Sequence, residues 1–409
     1  MWTMPEQIVS RILRLPGYGA YRSEFTEQEL ELTLWVRQVG RDPDYTCSGC
    51  GIGVGATHSV RERRVRDLPW GGWKVWLIVE VHRVYCRRCG VKGESIGFLE
   101  GKHPYTQRFA EAVARDCEDS AVRRVASKWG LSPQTVGRID KRALLAWRGR
   151  RKRRPLRYMG VDEIFWRKGK CLTVVSDLEL GEPIWAAPER KKEILDRFFV
   201  EELPPRRRRS VRAVCMDMWE PFILSVSEHL PRAAIVFDKF HVMKYVNAAV
   251  DETRREEFFR QKGALRAVMR GKRWLFLTRW KNLSRRKRGL LNEALSINRR
   301  LFKAYYLKEE IGRLWTYTYE GAALRFFIDW LLSLRWQRLP AFKKLARTLY
   351  DHLYGILAYC RHKVPMGVVE AINGNLRAII RRGRGYRDHE YLILKAQKST
   401  AQARLAKAA

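Results

Sequence analysis

Hydrophobic and polar positions alternate along two parts of the chain and recur at helical spacing along the rest. After a short amphipathic opening, residues 25–39 contain LELTLWVRQV, which alternates as a strand does. Residues 74–84, KVWLIVEVHRV, form a second strand-like run. Residues 104–147 change to helical spacing. Over 120–130, Val122, Val125, Ala126 and Trp129 form one apolar face, and Gly130-Leu131-Ser132 makes a turn. Ser132-Pro133 then supplies an N-cap and a proline at the first helical position, opening a helix over 134–147. Alternation returns from Leu156. Residues 157–166, 170–178 and 183–187 read as three strands, with Gly169 and 179–181 where hairpin turns belong. A helix over 191–202, a strand over 211–216, a helix over 221–229, a strand over 233–237 and a long helix to about residue 259 follow. Residues 260–365 carry helical periodicity with almost no strand pattern, as in 290–306, 322–336 and 342–361. One more helix is expected over 367–382.

The order β-β-β-α-β-α-β-α from residue 156 is that of an RNase H-like core, three antiparallel strands followed by parallel strands joined by helices. The expected fold is therefore multidomain α/β. A segment 1–40 precedes a small cysteine-bearing domain at 41–103 and a helical domain with basic linker at 104–154. The core's first part is 155–259, an all-α insertion of domain size is 260–365, the last core helix lies in 366–396, and 397–409 is a loose tail.

Charge changes this picture most. The 409 residues hold 81 Lys+Arg against 44 Asp+Glu, a net charge of +37. Such an excess calls for a polyanionic partner, and nucleic acid is the commonest. No run of 18 apolar residues and no isolated basic amphipathic helix supports a membrane partner. The opening MWTMPEQIVSRILRL lacks a charged region followed by a long apolar core, so a cytoplasmic, nucleoid-associated protein is expected.

In that reducing setting the cysteines are not expected to pair as disulfides. Cys47-Ser-Gly-Cys50-Gly and Cys86-Arg-Arg-Cys89-Gly are two C-x2-C knuckles separated by 35 residues. Each is followed by glycine, which lets backbone amides turn toward the sulfurs. Tetrahedral Cys₄ zinc suits this spacing, one structural ion with no open position; the competing reading is a redox-active pair. His58, His82 and His103 are possible substitute ligands. The two helices around Gly130 read as a helix-turn-helix whose basic second helix, with Arg138, Lys141 and Arg142, would lie in a major groove; two packed helices without DNA contact are the alternative. Arg151, Lys152, Arg153 and Arg154 end in Pro155, either a phosphate-tracking linker or a solvated hinge. Trp274, Trp280, Trp315, Trp330 and Trp336 of the insertion suit a stacked unpaired base but at helical spacing are more often core.

Three stretches place a carboxylate on an otherwise apolar element: YMGVDE with Asp162, VCMDMW with Asp217 and VVEAIN with Glu370. A carboxylate in such a setting is costly unless something offsets its desolvation, and a divalent cation is the usual answer. Two Mg²⁺ (or Mn²⁺) ions held by Asp162, Asp217 and Glu370 would serve phosphodiester cleavage, with Asp162 or Asp217 bridging, Asp162 preferred as the residue on the central strand. Glu370 alone also fits an ordinary helix N-terminus. Glu370, Asn373 and Arg377 share a helix face, and Arg381 begins the basic turn beyond it. Asp177, in VVSDLELG, fits a hairpin turn better than a site.

Taken together, CSGCG with CRRCG, GVDEIFWRKG, MDMWEPF, IVFDKFHVMKYVN and VVEAINGNLRAIIRRGRGYRD resemble the bacterial insertion-sequence transposases of the ISL-three family over nearly the whole chain. The resemblance implies a DDE transposase with Asp162, Asp217 and Glu370 as its acids, acting on transposon ends and target DNA as a homodimer or larger assembly. Metal-activated water would cleave a strand at the transposon end, and the freed 3′-OH would attack target DNA. Asp238 and His241 match a signature that several helix-interrupted groups carry. His241 would orient DNA or protonate a leaving oxygen; the plainer reading is an N-cap beside a buried histidine. A non-catalytic DNA-binding regulator and a structure-specific nuclease are the other function classes.

Overall fold

The computed structural model describes residues 6–40, 45–152, 154–167, 169–262, 266 and 269–408. They fall into two compact units, Met1–Arg150 and Arg151–Ala409.

In the first unit, α1 (Glu6–Leu13) packs on a sheet of β1 (Tyr18–Thr26), β2 (Glu31–Gln38), β5 (Thr57–Trp70), β6 (Trp73–Cys86) and β7 (Gly90–Gly93), ordered β1-β2-β6-β5 with β7 on β6; two short strands, β3 (Tyr45–Thr46) and β4 (Gly53–Val54), pair beside it. Leu32, Leu34 and Val36 of β2 and Val75, Leu77, Val79 and Val81 of β6 turn inward against Val9 and Leu13 of the helix. The alternation at 25–39 thus marks a real strand, but 1–40 is not a separate segment, because β2 pairs in parallel with β6. The cysteine knuckles have only a small core of their own, Tyr45, Cys47, Val84 and Cys86. They therefore ride on a larger sheet that the first forty residues complete.

Three helices follow in the same unit: α2 (Gln107–Asp119), α3 (Val122–Trp129) and α4 (Pro133–Gly149). Phe109, Val113, Val125, Ala126, Val136 and Ile139 form their core. The Ser132 hydroxyl accepts from the Thr135 amide at 3.1 Å and Pro133 opens α4, as the sequence predicts. Buried Asp67 of β5 accepts from Thr106 Oγ1 at 2.7 Å and Arg108 Nε at 2.8 Å, which ties the helices to the sheet.

The second unit is built on a sheet ordered β10-β9-β8-β11-β12, from β8 (Tyr158–Arg167), β9 (Lys170–Asp177), β10 (Glu182–Pro188), β11 (Ala213–Met216) and β12 (Ala234–Phe237). The first three run antiparallel, and β8, β11 and β12 run parallel. Helices α5 (Lys192–Arg197), α6 (Pro205–Arg208), α7 (Glu220–His229) and α8 (Lys239–Arg260) interleave with the strands. The insertion is helical among the described residues: α9 (Arg273–Leu277), α10 (Arg285–Ile297), α11 (Arg299–Ile311), α12 (Glu320–Leu334), α13 (Pro340–Asp351) and α14 (Leu353–His362). It adds to the core on one sheet face, where Val161, Val175 and Val214 join Phe276, Phe327 and Phe342. The other face is covered by α15 (Gly367–Gly383) and α16 (His389–Ala408), with Ile164, Val174 and Cys215 against Ile372, Leu376, Leu392 and Ile393. Strand β9 is accordingly buried on both sides over its last six residues.

Residues 397–408 are not a loose tail. Leu392, Ile393 and Leu394 anchor α16, and it continues through them with Gln397 Nε2 donating to Pro183 O at 2.9 Å and Arg404 paired with Glu182. Its polar composition concealed this, because its contacts are hydrogen bonds to β10. Of the insertion tryptophans, Trp315 and Trp330 are core, whereas Trp274 and Trp336 are 71% and 77% exposed and Trp280 lies at the surface.

Candidate active site

At the centre of the second sheet, Asp162 projects from β8 where α15 crosses close to the strand. Gly160 permits this approach: a Cβ there would meet Leu178 Cδ2 at 2.8 Å and Val369 Cγ2 at 3.3 Å. The crossing brings Asn373 onto the carboxylate, with Asn373 Nδ2 donating to Asp162 Oδ2 at 2.5 Å. Asp162 Oδ1 accepts from the Glu163 amide at 2.8 Å and lies 3.9 Å from His241 Nε2. Burial raises the Asp162 carboxyl above the ordinary range, against the lowering influence of His241, the Glu163 amide and Asn373.

His241 and Asp238 come from the start of α8. Asp238 is the N-cap, its Oδ1 accepting from the Phe240 amide at 2.9 Å, so the plainer role holds for that residue. His241 is not a fully satisfied buried histidine. Its Nδ1 is 3.6 Å from Asp238 Oδ2, just beyond hydrogen-bond length, and the ring spans Asp238 and Asp162. Burial pulls the imidazole down, but the carboxylates of Asp238, Asp217 and Asp162 outweigh it and hold it above its usual value.

These residues line a cavity of ≈ 550 Å³ together with Glu370 and Asn373, and Lys239, Lys244, Arg279 and Arg377 add positive charge around it. Glu370, Asn373 and Arg377 do share one face of α15, as their spacing predicts. Glu370 and Arg377 are exposed, Asn373 is buried, and exposed Arg381 donates to Arg377 O at 3.4 Å. Asp217 follows β11, whose register with β8 (Cys215 beside Gly160) brings it level with Asp162. Its Oδ1 accepts from the Met218 amide at 2.7 Å, and its Oδ2 faces Arg190 Nη2 at 3.5 Å. The ligand atoms of Asp162, Asp217 and Glu370 are not drawn within 4.8 Å of one another; among the described residues the groups that are so drawn are the four cysteines and Asp196, Glu228 and His229. The second group is already served by a cation, Lys192 Nζ lying 2.8 Å from Asp196 and 2.7 Å from Glu228. Asp177 is a turn residue, its Oδ1 accepting from Glu179 and Leu180 amides at 3.0 Å.

Two neighbours escaped sequence reasoning. Glu163 follows Asp162 on a strand, where alternation sends it to the opposite face, yet it lines the same cavity at the strand's outer half. Arg190, between β10 and α5, carries no motif. Its position reads from three-dimensional contacts, an ion pair with Glu163 at 3.3 Å and one with Asp217 at 3.5 Å.

In the first unit the four cysteine sulfurs converge, with Cys50 Sγ and Cys86 Sγ 3.5 Å apart. Gly51 and Gly90 take φ of +72° and +69°, the left-handed conformation that turns amides inward after each pair. Amides of Arg88 and Cys89 at Cys86 lower its thiol to about 7. Tetrahedral zinc with Zn–S bonds of about 2.3 Å needs sulfurs roughly 3.8 Å apart, so the cluster fits that ion. The histidines stay outside: His82 is held by Glu94 at 2.9 Å, His58 by Ser59 at 3.1 Å, and His103 stacks on Tyr105.

Residues 159–396 match a family model for ISL3 transposases, residues 44–89 the zinc-finger of transposase IS204/IS1001/IS1096/IS1165, and residues 94–144 the helix-turn-helix domain of transposase family ISL3. The chain belongs to the ISL3 family of transposases. It is similar to the transposase for insertion sequence element IS1001 of Bordetella parapertussis, 34% identical over 93% of this chain and 94% of that one. It is also 27% identical to the transposase for IS1557 of Mycobacterium tuberculosis, over 83% and 82% of the two chains. The zinc ribbon and helix-turn-helix make this transposase a DNA-binding protein. Arg138 is exposed on α4, and Lys141 is half-buried. Arg142 turns back to Glu100 at 3.4 Å and to Tyr105 OH at 3.4 Å. In the linker Lys152 and Arg154 are exposed, and Arg153 lies outside the described residues. Arg151 makes a two-pronged pair with buried Glu182, at 2.8 and 3.0 Å, so its guanidinium is engaged within the protein. No helix among the described residues is long and apolar enough to cross a membrane.

Proposed function

We propose that this transposase binds the terminal inverted repeats of its insertion sequence and cleaves and joins DNA strands at Asp162, Asp217 and Glu370. The supporting observation is the cavity itself: Asp162 on the central strand lines it with Glu370 and Asn373 of α15 and His241 of α8, and cations ring the opening, while Asp217 stands outside this lining at the end of the neighbouring strand, level with Asp162. An all-oxygen donor set of carboxylates suits Mg²⁺ or Mn²⁺, and buried Glu163 Oε2, which has no hydrogen-bond partner, leaves a further oxygen toward the same site. Asp162, Asp217 and Glu370 would hold two such ions. Bound there, the ions would lower the pKa of the attacking water or 3′-OH and stabilise charge on the leaving oxygen.

The protein's own groups do the rest. Asn373 fixes the rotamer of Asp162. His241, whose Nε2 lies 3.9 Å from Asp162 Oδ1, is placed to give a proton to a leaving oxygen or to orient the reacting phosphate. Lys239, Lys244, Arg279 and Arg377 take phosphates flanking the scissile bond. Arg138 and Lys141 of α4 enter the major groove, and Lys152 and Arg154 track the backbone. Hydrolysis at the transposon end gives a 3′-OH, which attacks a target phosphodiester: a new 3′-O–P bond forms as the bond to the target strand's own 3′-oxygen breaks, leaving a target 3′-OH. Paired ends call for two sites, hence a homodimer or larger assembly on nucleoid DNA.

The test is cleavage and joining of the element's terminal DNA with Mg²⁺, wild type against Asp217→Ala. Metal-dependent 3′-end cleavage and strand joining, lost in the variant while end binding persists, support the reading. Binding with no cleavage by either protein across metals points to a regulator. Cleavage without joining points to a nuclease.

A further inference from the structure

Arg190 holds a position that a nucleic-acid clamp does not require. It leaves the chain between β10 and α5, where Glu189 takes a left-handed φ of +74°. Its guanidinium lies over the Trp219 ring, 4.2 Å from the centroid. From that seat Nη1 reaches Glu163 Oε1 at 3.3 Å and Nη2 reaches Asp217 Oδ2 at 3.5 Å. All three side chains are largely withdrawn from water, 27% exposed for the arginine, 12% for Glu163 and 13% for Asp217. Two of the polar atoms, Glu163 Oε2 and Arg190 Nε, are buried with no hydrogen-bond partner. A finished structural ion pair satisfies such atoms; this one leaves them open.

The oxygens decide what the arrangement does. Asp217 Oδ1 already accepts from the Met218 amide, so Oδ2 keeps the greater capacity for an outside ligand. That oxygen is the one Arg190 faces. A divalent cation on Oδ2 would sit about 2 Å from it, a few ångströms from a guanidinium of the same sign in a partly buried site where such repulsion is poorly screened. The two cations compete for one carboxylate.

We propose that Arg190 is the resident counter-ion of the carboxylate site and must leave Asp217 before a divalent cation can occupy it. The inference rests on the reading of Asp162, Asp217 and Glu370 as metal ligands. It adds a coupling. Arg190 and Asp217 lie outside the lining of the cavity and adjoin it through Glu163, which does line it. A DNA phosphate brought beside Glu163 is a better partner for the guanidinium than a carboxylate about to be neutralised, since phosphate accepts a two-pronged bond and carries its charge in with it. DNA binding thereby releases Asp217 for metal, and the protein without DNA holds its site closed to full loading. Arg190 is a positioning residue here, acting through Asp217.

The experiment is an electron paramagnetic resonance titration of Mn²⁺ on the zinc-loaded full chain, with wild type, Arg190→Gln, Asp217→Asn, Asp162→Asn and the Arg190→Gln/Asp217→Asn double variant, each with and without a DNA duplex. Without DNA, Arg190→Gln binds Mn²⁺ roughly tenfold more tightly than wild type, the scale expected for removing one like charge close to the ion. The gain disappears in the double variant, and adding duplex raises Mn²⁺ affinity more in wild type than in Arg190→Gln. If Arg190→Gln binds no more tightly while Asp217→Asn still weakens binding, the counter-ion inference is overturned and the site reading stands. If neither Asp217→Asn nor Asp162→Asn alters Mn²⁺ affinity in any background, the site reading itself falls. Wild-type crystals soaked in Mn²⁺ provide a check that needs no variant to fold: metal on Asp217 with Arg190 displaced supports the inference, and metal on Asp217 with Arg190 still at hydrogen-bond distance overturns it.

Discussion

Asn373 and Asp162, 211 residues apart in sequence, are joined by a hydrogen bond of 2.5 Å from the amide Nδ2 to the carboxylate Oδ2. The bond locks α15 to the central strand and sets which way Asp162 points. Asn373 is 3% exposed, so the bond is shielded from water. Replacing Asn373 with Ala leaves a buried carboxylate oxygen without its donor, at a cost of about 1–3 kcal/mol. Strand cleavage is expected to fall by roughly 10–100-fold, the usual effect of removing a residue that orients a metal ligand. Asn373→Asp places a second carboxylate against the first. It should lower the melting temperature in chelator more than Asn373→Ala does and regain much of the loss on adding Mg²⁺. Thermal unfolding with and without Mg²⁺ checks this; an Asp variant as stable as wild type in chelator would rule the argument out.

The cysteine cluster makes a local prediction. Strands β3 and β4 are two residues each, and the knuckles' own core is four residues. Such a unit does not hold itself without its ion. Chelation, or Cys86→Ser, should speed amide exchange over residues 46–54 and 90–93. The interior of β6, Val75 to Val81, should stay protected by the larger core shared with β2 and α1. Uniform loss of protection across β5 and β6, or no change at the knuckles, would contradict it.

The linker residues separate by partner. Arg151 is bound to Glu182, which is 2% exposed and also receives Arg404. Arg151→Ala should cost roughly 1–3 kcal/mol, less than the ~3–5 kcal/mol of a buried pair broken outright, because Arg404 remains. Its affinity for DNA should keep the wild-type salt dependence. Lys152→Ala and Arg154→Ala should do the reverse, leaving stability within about 0.5 kcal/mol and each reducing the salt slope by about one. Binding isotherms at several salt concentrations, beside urea unfolding, test both halves. A reduced slope for Arg151→Ala would return it to the DNA contacts.

What could be read from the chain follows physical range. Strands such as KCLTVVSD and AVCM announce themselves by composition, and the five-stranded order follows from connection rules. The face shared by Glu370, Asn373 and Arg377 is a consequence of helical pitch alone. The parallel pairing of β2 with β6 was hidden because nothing local encodes which distant strand a strand will join. Arg151 looked like one more cation in a run, and only Glu182, thirty-one positions on, takes it out of that class. Glu163 and Arg190 were missed for the same reason. Alternation assigns faces within a strand, but a cavity at a strand's outer half receives side chains from both, and an arginine in a loop gives no sign of which carboxylates it will meet.

Lys308 carries the last prediction. It lies in α11 with its side chain 1% exposed, its Nζ donating to Phe276 O at 3.0 Å and Thr278 O at 2.8 Å and lying 3.1 Å from Glu309. Burial, ahead of the opposing pull of Glu309, lowers the amine to about 8 from an ordinary 10.5. Between those values the unfolded chain binds a proton that the folded chain does not, so raising the pH stabilises the fold. That contribution is complete above about 10.5 and is lost as pH falls through about 8, a swing of about 3 kcal/mol. At neutral pH wild type therefore bears a buried charge that Lys308→Met lacks, while the variant leaves the Phe276 carbonyl without its donor, a cost of about 1–3 kcal/mol. The two effects nearly cancel at pH 7. At pH 10.5 only the second remains, and wild type becomes the more stable. The measurement is the difference in unfolding free energy between wild type and Lys308→Met from pH 7 to 10.5, in which the titration of surface lysines cancels. A difference that climbs across pH 8 to 10.5 confirms a buried amine that loses its proton early. A flat difference would mean that the carbonyls of Phe276 and Thr278 hold Lys308 charged throughout, at the same proton affinity as in the unfolded chain.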